Sequence, residues 1–256
     1  MSSEAGSLVV TSYGSSDVGK RRKGNEDAFL CDDELGLWVV ADGMGGHAAG
    51  EVASQEAIDT IYGMVKRGKR TLELGGAFSE EKARAAKRLV EGAVQAATYM
   101  VFAMAELDSG KAGMGTTISS MVRFGDFAVI GQVGDSRVYR VRSTEVEQLT
   151  EDHTLIAWQL KQGLIDEEEA KRSKHRNVIT RAVGNRDYVQ VDTNLIEFEL
   201  GDVYLLCSDG LHGYLRVEEL PALVAPGGQA AVTRLIDLAN GRGGKDNITA
   251  VVVEVC

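Results

Sequence analysis

Five aspartates occupy equivalent places along the chain. Asp27 opens the apolar stretch DAFLCD, Asp42 closes GLWVVAD, Asp135 follows VIGQVG, Asp209 follows YLLCS, and Asp246 directly precedes NITAVVV. Apolar strands of this kind stack in a core, so their ends converge on a rim. A lone Asp-Gly is an ordinary turn dipeptide. Five carboxylates on one rim are different, because like charges raise one another's pKa values unless cations sit among them. Oxygen ligands without a His or Cys set select hard ions, Mg²⁺ or Mn²⁺, over zinc.

The stretch Gly43-Met44-Gly45-Gly46-His47-Ala48 also fits G-x-G-x-x-A, a variant of the dinucleotide fingerprint. That motif requires an acid about 20 positions on, at the end of a second strand, to bind a ribose. Residues 62–66 read YGMVK and belong to an amphipathic pattern. Asp42, directly before the first glycine, would oppose a pyrophosphate. A cation site is the better reading of the loop, its glycines allowing a tight backbone turn.

The elements that must carry these residues alternate in runs. SLVVTSYG, DAFLCD and GLWVVAD read as strands. Two helices follow, with stripes Ile58, Ile61, Tyr62, Val65 and Leu89, Ala93, Ala96, Met100, Met104, the second beginning near Ser79. GTTISSMVRF, DFAVIGQVG and RVYRVRS are expected to form an antiparallel meander. Residues 152–176 are polar and helical, with Asp166 and Glu169 spaced as a capping box. NVITRAVG, VQVDTNLIEFEL and DVYLLCSDG resume the strands, helices are expected near 217–224 and 228–240, and NITAVVVEV closes the chain. Strands in runs and helices in runs predict an α+β fold. With no linker or repeat, residues 1–256 read as one domain with a helical insertion.

A net charge of −10 argues against nucleic-acid or anionic-membrane surfaces. Three cysteines, Cys31, Cys207 and Cys256, lack metal-ligand spacing and read as reduced thiols. No apolar run approaches a membrane span and no signal pattern opens the chain, so a cytoplasmic protein is expected.

Taken in order, RKGNEDAF, VVADGMGGHAAGEVAS, GMGTT, VGDSRVYR, LTEDHT, NVITRAVG, LLCSDGL and GKDNITAVVV resemble the metal-dependent serine/threonine protein phosphatases, the type 2C or PPM family, in its bacterial free-standing form. The resemblance runs from about residue 10 to the C-terminus. It implies a sandwich of two antiparallel β-sheets flanked by α-helices, and a centre of two Mn²⁺ or Mg²⁺ ions whose bridging hydroxide attacks phosphoserine or phosphothreonine directly. By the same resemblance Asp42 bridges both metals and the Gly43 carbonyl binds one. Asp209 and Asp246 bind the other, Glu26 and Asp27 act mainly through metal-bound waters, and Asp135 with Asp209 holds a third, weaker ion.

Arg22 matches the family arginine that grips the substrate phosphate, a task suited to a planar guanidinium; Arg21 is the alternative should the loop shift by one. No C-x5-R loop of the cysteine phosphatases is present. His47 is the candidate general acid for the leaving alkoxide, or only a residue that fits the turn. His153 reads as a structural residue at a helix start, and His175 lies in the polar insertion. His212 stands where the family more usually has a threonine or serine followed by an acid; it reads as a surface residue, with an approach to the metal rim as the alternative. Residues 152–176 match the family's flap, expected to select among phosphoproteins. Phosphoprotein substrates, a Ser/Thr kinase on another chain and a monomer are the expected partners and state. A non-catalytic binding module and a phosphatase of small molecules are the competing readings; the retained aspartates weigh against the first.

Overall fold

The computed structural model describes residues 8–45, 49–73, 79–175 and 178–256. One sheet has the order β1 (Val10–Asp17), β11 (Ile248–Val255), β10 (Val203–Cys207), β7 (Arg137–Arg142), β8 (Glu145–Gln148). The second has the order β2 (Asp27–Asp32), β3 (Leu37–Met44), β5 (Ile118–Phe124), β6 (Phe127–Val133), β9 (Asp192–Glu197), with the two-residue β4 (Gly115–Thr116) also on β3. Every strand pairing is antiparallel.

Period-two alternation divides each strand between two cores. Along β3, Leu37, Val39 and Ala41 face the long helices α1 (Ala49–Glu73) and α2 (Glu80–Leu107). Trp38 and Val40 face inward and meet Met121, Ile130, Tyr204, Leu206, Val251 and Val253 between the sheets. Cys207, Ala250 and Val252 face outward onto α6 (Leu220–Val224) and α7 (Gly228–Gly241). Each large apolar side chain so buried stabilises the fold by roughly 1.5–3 kcal/mol relative to exposure. The same parity points Asp42, two residues past Val40, to the interior face at the sandwich's end.

Helix α2 starts where the sequence places it, with the Ser79 hydroxyl accepting the Lys82 N–H. Its buried stripe is rotated from the expected one: Ala86, Val90, Ala93, Val94, Ala97 and Val101 face the core while Met100 is exposed. The small residues let α2 approach the sheet and α1 closely, and the long methionine lies at the margin. The expected meander also breaks. β5 and β6 pair as read, but β7 crosses to the other sheet and lies beside β10. The link contains Gly134 in a left-handed conformation (φ +99°), where any side chain would be strained and would strike Thr117. The stretch 178–184 is not a strand; among the described residues its only β-pairings are the isolated bridges Thr154↔Ile179 and Thr116↔Val183, while its Arg181 side chain reaches β9 through Asp192.

The insertion forms α3 (Leu155–Lys161) and α4 (Glu167–Arg172), the latter opened by the expected Asp166–Glu169 capping box. Among the described residues no helix is long and apolar enough to cross a membrane.

Candidate active site

Four elements deliver carboxylates to one end of the sandwich. Asp27 and Asp42 are directly opposite on β2 and β3. Asp209 follows β10 and opens the short helix α5 (Asp209–His212), and Asp246 stands two residues before β11. Asp135 sits in the β6–β7 crossing. Burial lifts the Asp27 carboxyl to about 6 against its hydroxyl partners, with Asp209 and Asp246 adding repulsion. Burial likewise lifts Asp135 to about 7, with Asp209 and Asp152 adding repulsion. Asp42 keeps a partial opening to solvent, yet protein surrounds its carboxyl. Burial and four aspartates, Asp27 foremost, raise it well above the ordinary range. Asp209 is raised by burial and by Asp246.

This is the donor chemistry a hard divalent cation requires: oxygen only, poorly solvated and mutually repelling. Among the described residues no three His, Cys, Asp or Glu side chains are already gathered tightly enough to hold an ion. The aspartates are electrostatic neighbours, not a closed shell. Their fit to a divalent centre rests on donor type and charge.

Each carboxylate is held by neighbours. Asp27 Oδ2 accepts from Ser208 Oγ (2.8 Å) and Thr249 Oγ1 (2.6 Å), and Thr249 is hydrogen-bonded to Ser16 Oγ. One oxygen of Asp27 is therefore committed to the protein, which suits orienting water better than closing a metal shell. The backbone of Asp42 is fixed on both sides: its N–H donates to Thr117 Oγ1 (3.0 Å), and its carbonyl accepts from the Thr117 N–H and Thr116 Oγ1 (both 2.9 Å). These are the threonines of GMGTT. Thr117 is also hydrogen-bonded to Ser136, beside Asp135.

The reason for Gly43 differs from the tight turn expected. It remains within β3 and its φ is not left-handed. A Cβ there would lie 2.2 Å from the Gly50 carbonyl and 2.4 Å from that of Glu26. The glycine permits three backbones to cross. Glu26 accepts the Gly43 N–H through its carbonyl, and its carboxylate lies against Gly50 in the first turn of α1.

Arg22 reaches the rim from an exposed loop. Its Nη2 donates to Asp246 Oδ2 at 2.8 Å and its Nη1 lies 3.8 Å from Glu26, while Lys20, Arg21 and Lys23 are exposed. The bond to Asp246 is the main cause raising the Arg22 pKa. That loop is set by Asn247, whose Nδ2 donates to the carbonyls of Val18 (3.0 Å) and Gly24 (2.9 Å) and whose Oδ1 accepts the Glu26 N–H (2.9 Å).

Asn247, Ser208 and Thr249 escape a reading based on charged residues. Alternation offers the signal for two of them: Ser208 follows the inward series Tyr204, Leu206, and Thr249 precedes Val251, Val253. His47 lies outside the described residues. His212 corrects the surface reading: it turns inward, its Nε2 donates to the Asp135 carbonyl (2.9 Å), and burial lowers its pKa to about 4. His153 is structural, as expected. Its Nδ1 accepts the Gly134 N–H (3.1 Å), so Nε2 carries the proton and donates to Asp192 (3.0 Å).

A two-sheet sandwich with a carboxylate rim and an arginine at its lip fits a metal-dependent hydrolase of phosphate esters. The model of protein phosphatase 2C matches residues 19–234, and the chain belongs to that family. It is 34% identical over 245 residues to the serine/threonine phosphatase Stp of Listeria innocua, covering 93% of each chain. It superposes on the Mycobacterium tuberculosis serine/threonine phosphatase PstP with a TM-score of 0.85 at 35% identity, over 96% of this chain and 99% of that one. The catalytic domain of PstP in complex with two manganese ions aligns with a TM-score of 0.82 at 33% identity, over 97% and 99% of the two chains.

Proposed function

We infer that the chain hydrolyses phosphoserine and phosphothreonine monoesters on proteins, with two Mn²⁺ or Mg²⁺ ions as cofactors. The observation that carries the site assignment is the set of buried, mutually repelling aspartates at one end of the sandwich. Asp42, the Gly43 carbonyl, Asp209 and Asp246 are the ligands in this reading, Glu26 and Asp27 act through water, and Asp135 with Asp209 offers a third, weaker position. When bound, such ions lower the pKa of water and neutralise charge on phosphoryl oxygens.

The chain's own residues do the rest. Arg22 exchanges its bond to Asp246 for paired hydrogen bonds to the phosphate oxygens. Ser208 and Thr249 hold one Asp27 oxygen so that the other faces the water. Asn247 fixes the distance between the Arg22 loop and Asp246. Covalent catalysis by a thiol is disfavoured: Cys207 faces α7 and burial pushes it up to about 12, and burial pushes Cys31 up to about 11. In this reading water attacks phosphorus directly, as in the family the chain belongs to. His47 remains the candidate proton donor to the leaving alkoxide.

Residues 1–256 as one catalytic domain, a monomeric cytoplasmic enzyme and a kinase on another chain belong to the same proposal. The test is phosphopeptide hydrolysis with Mn²⁺, with chelator, and after Asp209→Asn. Turnover with Mn²⁺ and loss in the other two arms is expected; full activity in chelator would overturn the metal assignment.

A further inference from the structure

Beside the rim lies a second concavity, of about 290 Å³, formed by the segment after the insertion. Arg181, Asn185, Arg186, Tyr188 and Gln190 line it. Val183 joins this segment to the catalytic end of the sheet: it exchanges backbone hydrogen bonds with Thr116 (2.9 and 3.0 Å), and β4 pairs with Gly43 and Met44. Ala182, which also lines the groove, and Met44 both lie within 4 Å of where a Cβ on Gly115 would stand. Two strand spacings separate Gly43 from Val183, roughly 10 Å. An extended peptide covers that in about three residues.

The groove's charge opposes that of the molecule. In a chain of net charge −10, two guanidiniums line the concavity; Asp192 offsets the charge of Arg181, and Arg186 is left as the unpaired cation among the described residues. Arg181 is preorganised: its Nη1 donates to Asp192 Oδ1 (2.8 Å), and Asp192 is in turn held by His153, while Nε and Nη2 have no partner among the described residues. Arg186 is exposed and makes no ion pair among the described residues; its neighbour Asp187 does not line the groove. Tyr188 is 65% exposed and supplies an amphipathic wall.

We propose that this groove recognises the carboxylate of an Asp or Glu side chain about three residues from the phosphoresidue of the substrate protein. Arg186 supplies the unpaired charge, and a guanidinium's planar fork matches a carboxylate; Arg181 adds the donors that Asp192 leaves open. The carboxylate rim alone would repel acidic sequences, and the groove reverses that for an acid placed at this distance. The inference rests on the phosphatase reading and names its substrate class.

The test compares kcat/KM for phosphothreonine peptides with Glu or Gln placed two to four residues on either side, in wild type and Arg186→Ala, with an aryl phosphate as control. Glu at one of these positions is expected to raise kcat/KM about fivefold through KM, the scale of an exposed ion pair. Arg186→Ala is expected to erase that gain, and Arg186→Glu to reverse it. The aryl phosphate has no residue to reach the groove, so wild type and Arg186→Ala turn it over alike. An equal Glu preference in wild type and Arg186→Ala, or no preference in wild type, overturns the assignment. A gain from a second phosphate but not from Glu overturns the choice of carboxylate. Failure to hydrolyse the aryl phosphate with Mn²⁺ would instead sink the phosphatase reading and the groove with it.

Discussion

Strand β10 carries an aspartate at each end, and the two are treated in opposite ways. Asp202, just before it, is buried and accepts from Arg142 Nε and Nη2 (both 2.7 Å), the Tyr204 hydroxyl (2.9 Å) and the Glu199 N–H (3.0 Å). Burial would raise its pKa, but these partners, Arg142 first, hold the carboxyl below its ordinary value. Asp209, just after the strand, is an electrostatic neighbour of Asp42 and Asp246, and burial with the Asp246 charge raises it. One end is a closed structural ion pair and the other is negative charge without enough cationic partners. Burial alone does not make an aspartate functional; burial among like charges at an opening does, because only a cation or a proton can relieve it.

The comparison can be broken most directly at the open end. Asp42→Asn is expected to lower kcat/KM for a phosphopeptide by roughly 10³-fold, the scale of losing an electrostatic stabiliser of the transition state. Melting of the chelated protein should not fall, since the change removes a repelling charge. A variant with near wild-type turnover, or one destabilised in chelator, would erase the contrast. At the closed end the pattern should invert. Arg142→Met leaves Asp202 buried without its cation and is expected to cost about 3 kcal/mol in urea unfolding, while activity per folded molecule stays near wild type.

The smallest effect is the pH dependence. Asp202 has a depressed folded pKa, so its contribution is present above the unfolded value near 4 and is lost as pH falls through the folded one. In chelator the rim has the opposite sign. Asp27 and Asp135, raised to about 6 and 7, contribute fully only below the unfolded value and lose that contribution as pH rises through 6 to 7. Chelated protein is therefore expected to gain stability from pH 8 to pH 5, and Asp42→Asn to flatten that slope. Thermal melts across this range, with and without Mn²⁺, would test it; a slope that Mn²⁺ leaves unchanged would detach it from the rim.

Much of the rim was legible because it depends on local order. DAFLCD is β2 to the residue, Ser79 caps α2, and Asp166–Glu169 forms its box. Each of these is fixed by neighbours within a few positions. What failed needed partners distant in sequence. Arg137–Arg142 looks like the next strand of a meander, but its pairing with β10 depends on residues more than 60 positions away. His212 looked exposed because nothing near it in sequence shows that Asp135's carbonyl awaits a donor.

The sequence by itself determined which residues stand at strand ends, which face of each strand is apolar, and that the carboxylates far outnumber any nearby ligand of another kind. Alternation and capping are local, so they can be read from a single chain. Only the tertiary structure decided that the ends of two different sheets open on the same side. It alone showed that Gly43 is required by crossing backbones, that Asp27 spends one oxygen on Ser208 and Thr249, and that Arg181 and Arg186 line a groove beside the rim. Those facts rest on approach between segments distant in the chain, and the packing of the two sheets is what sets that approach.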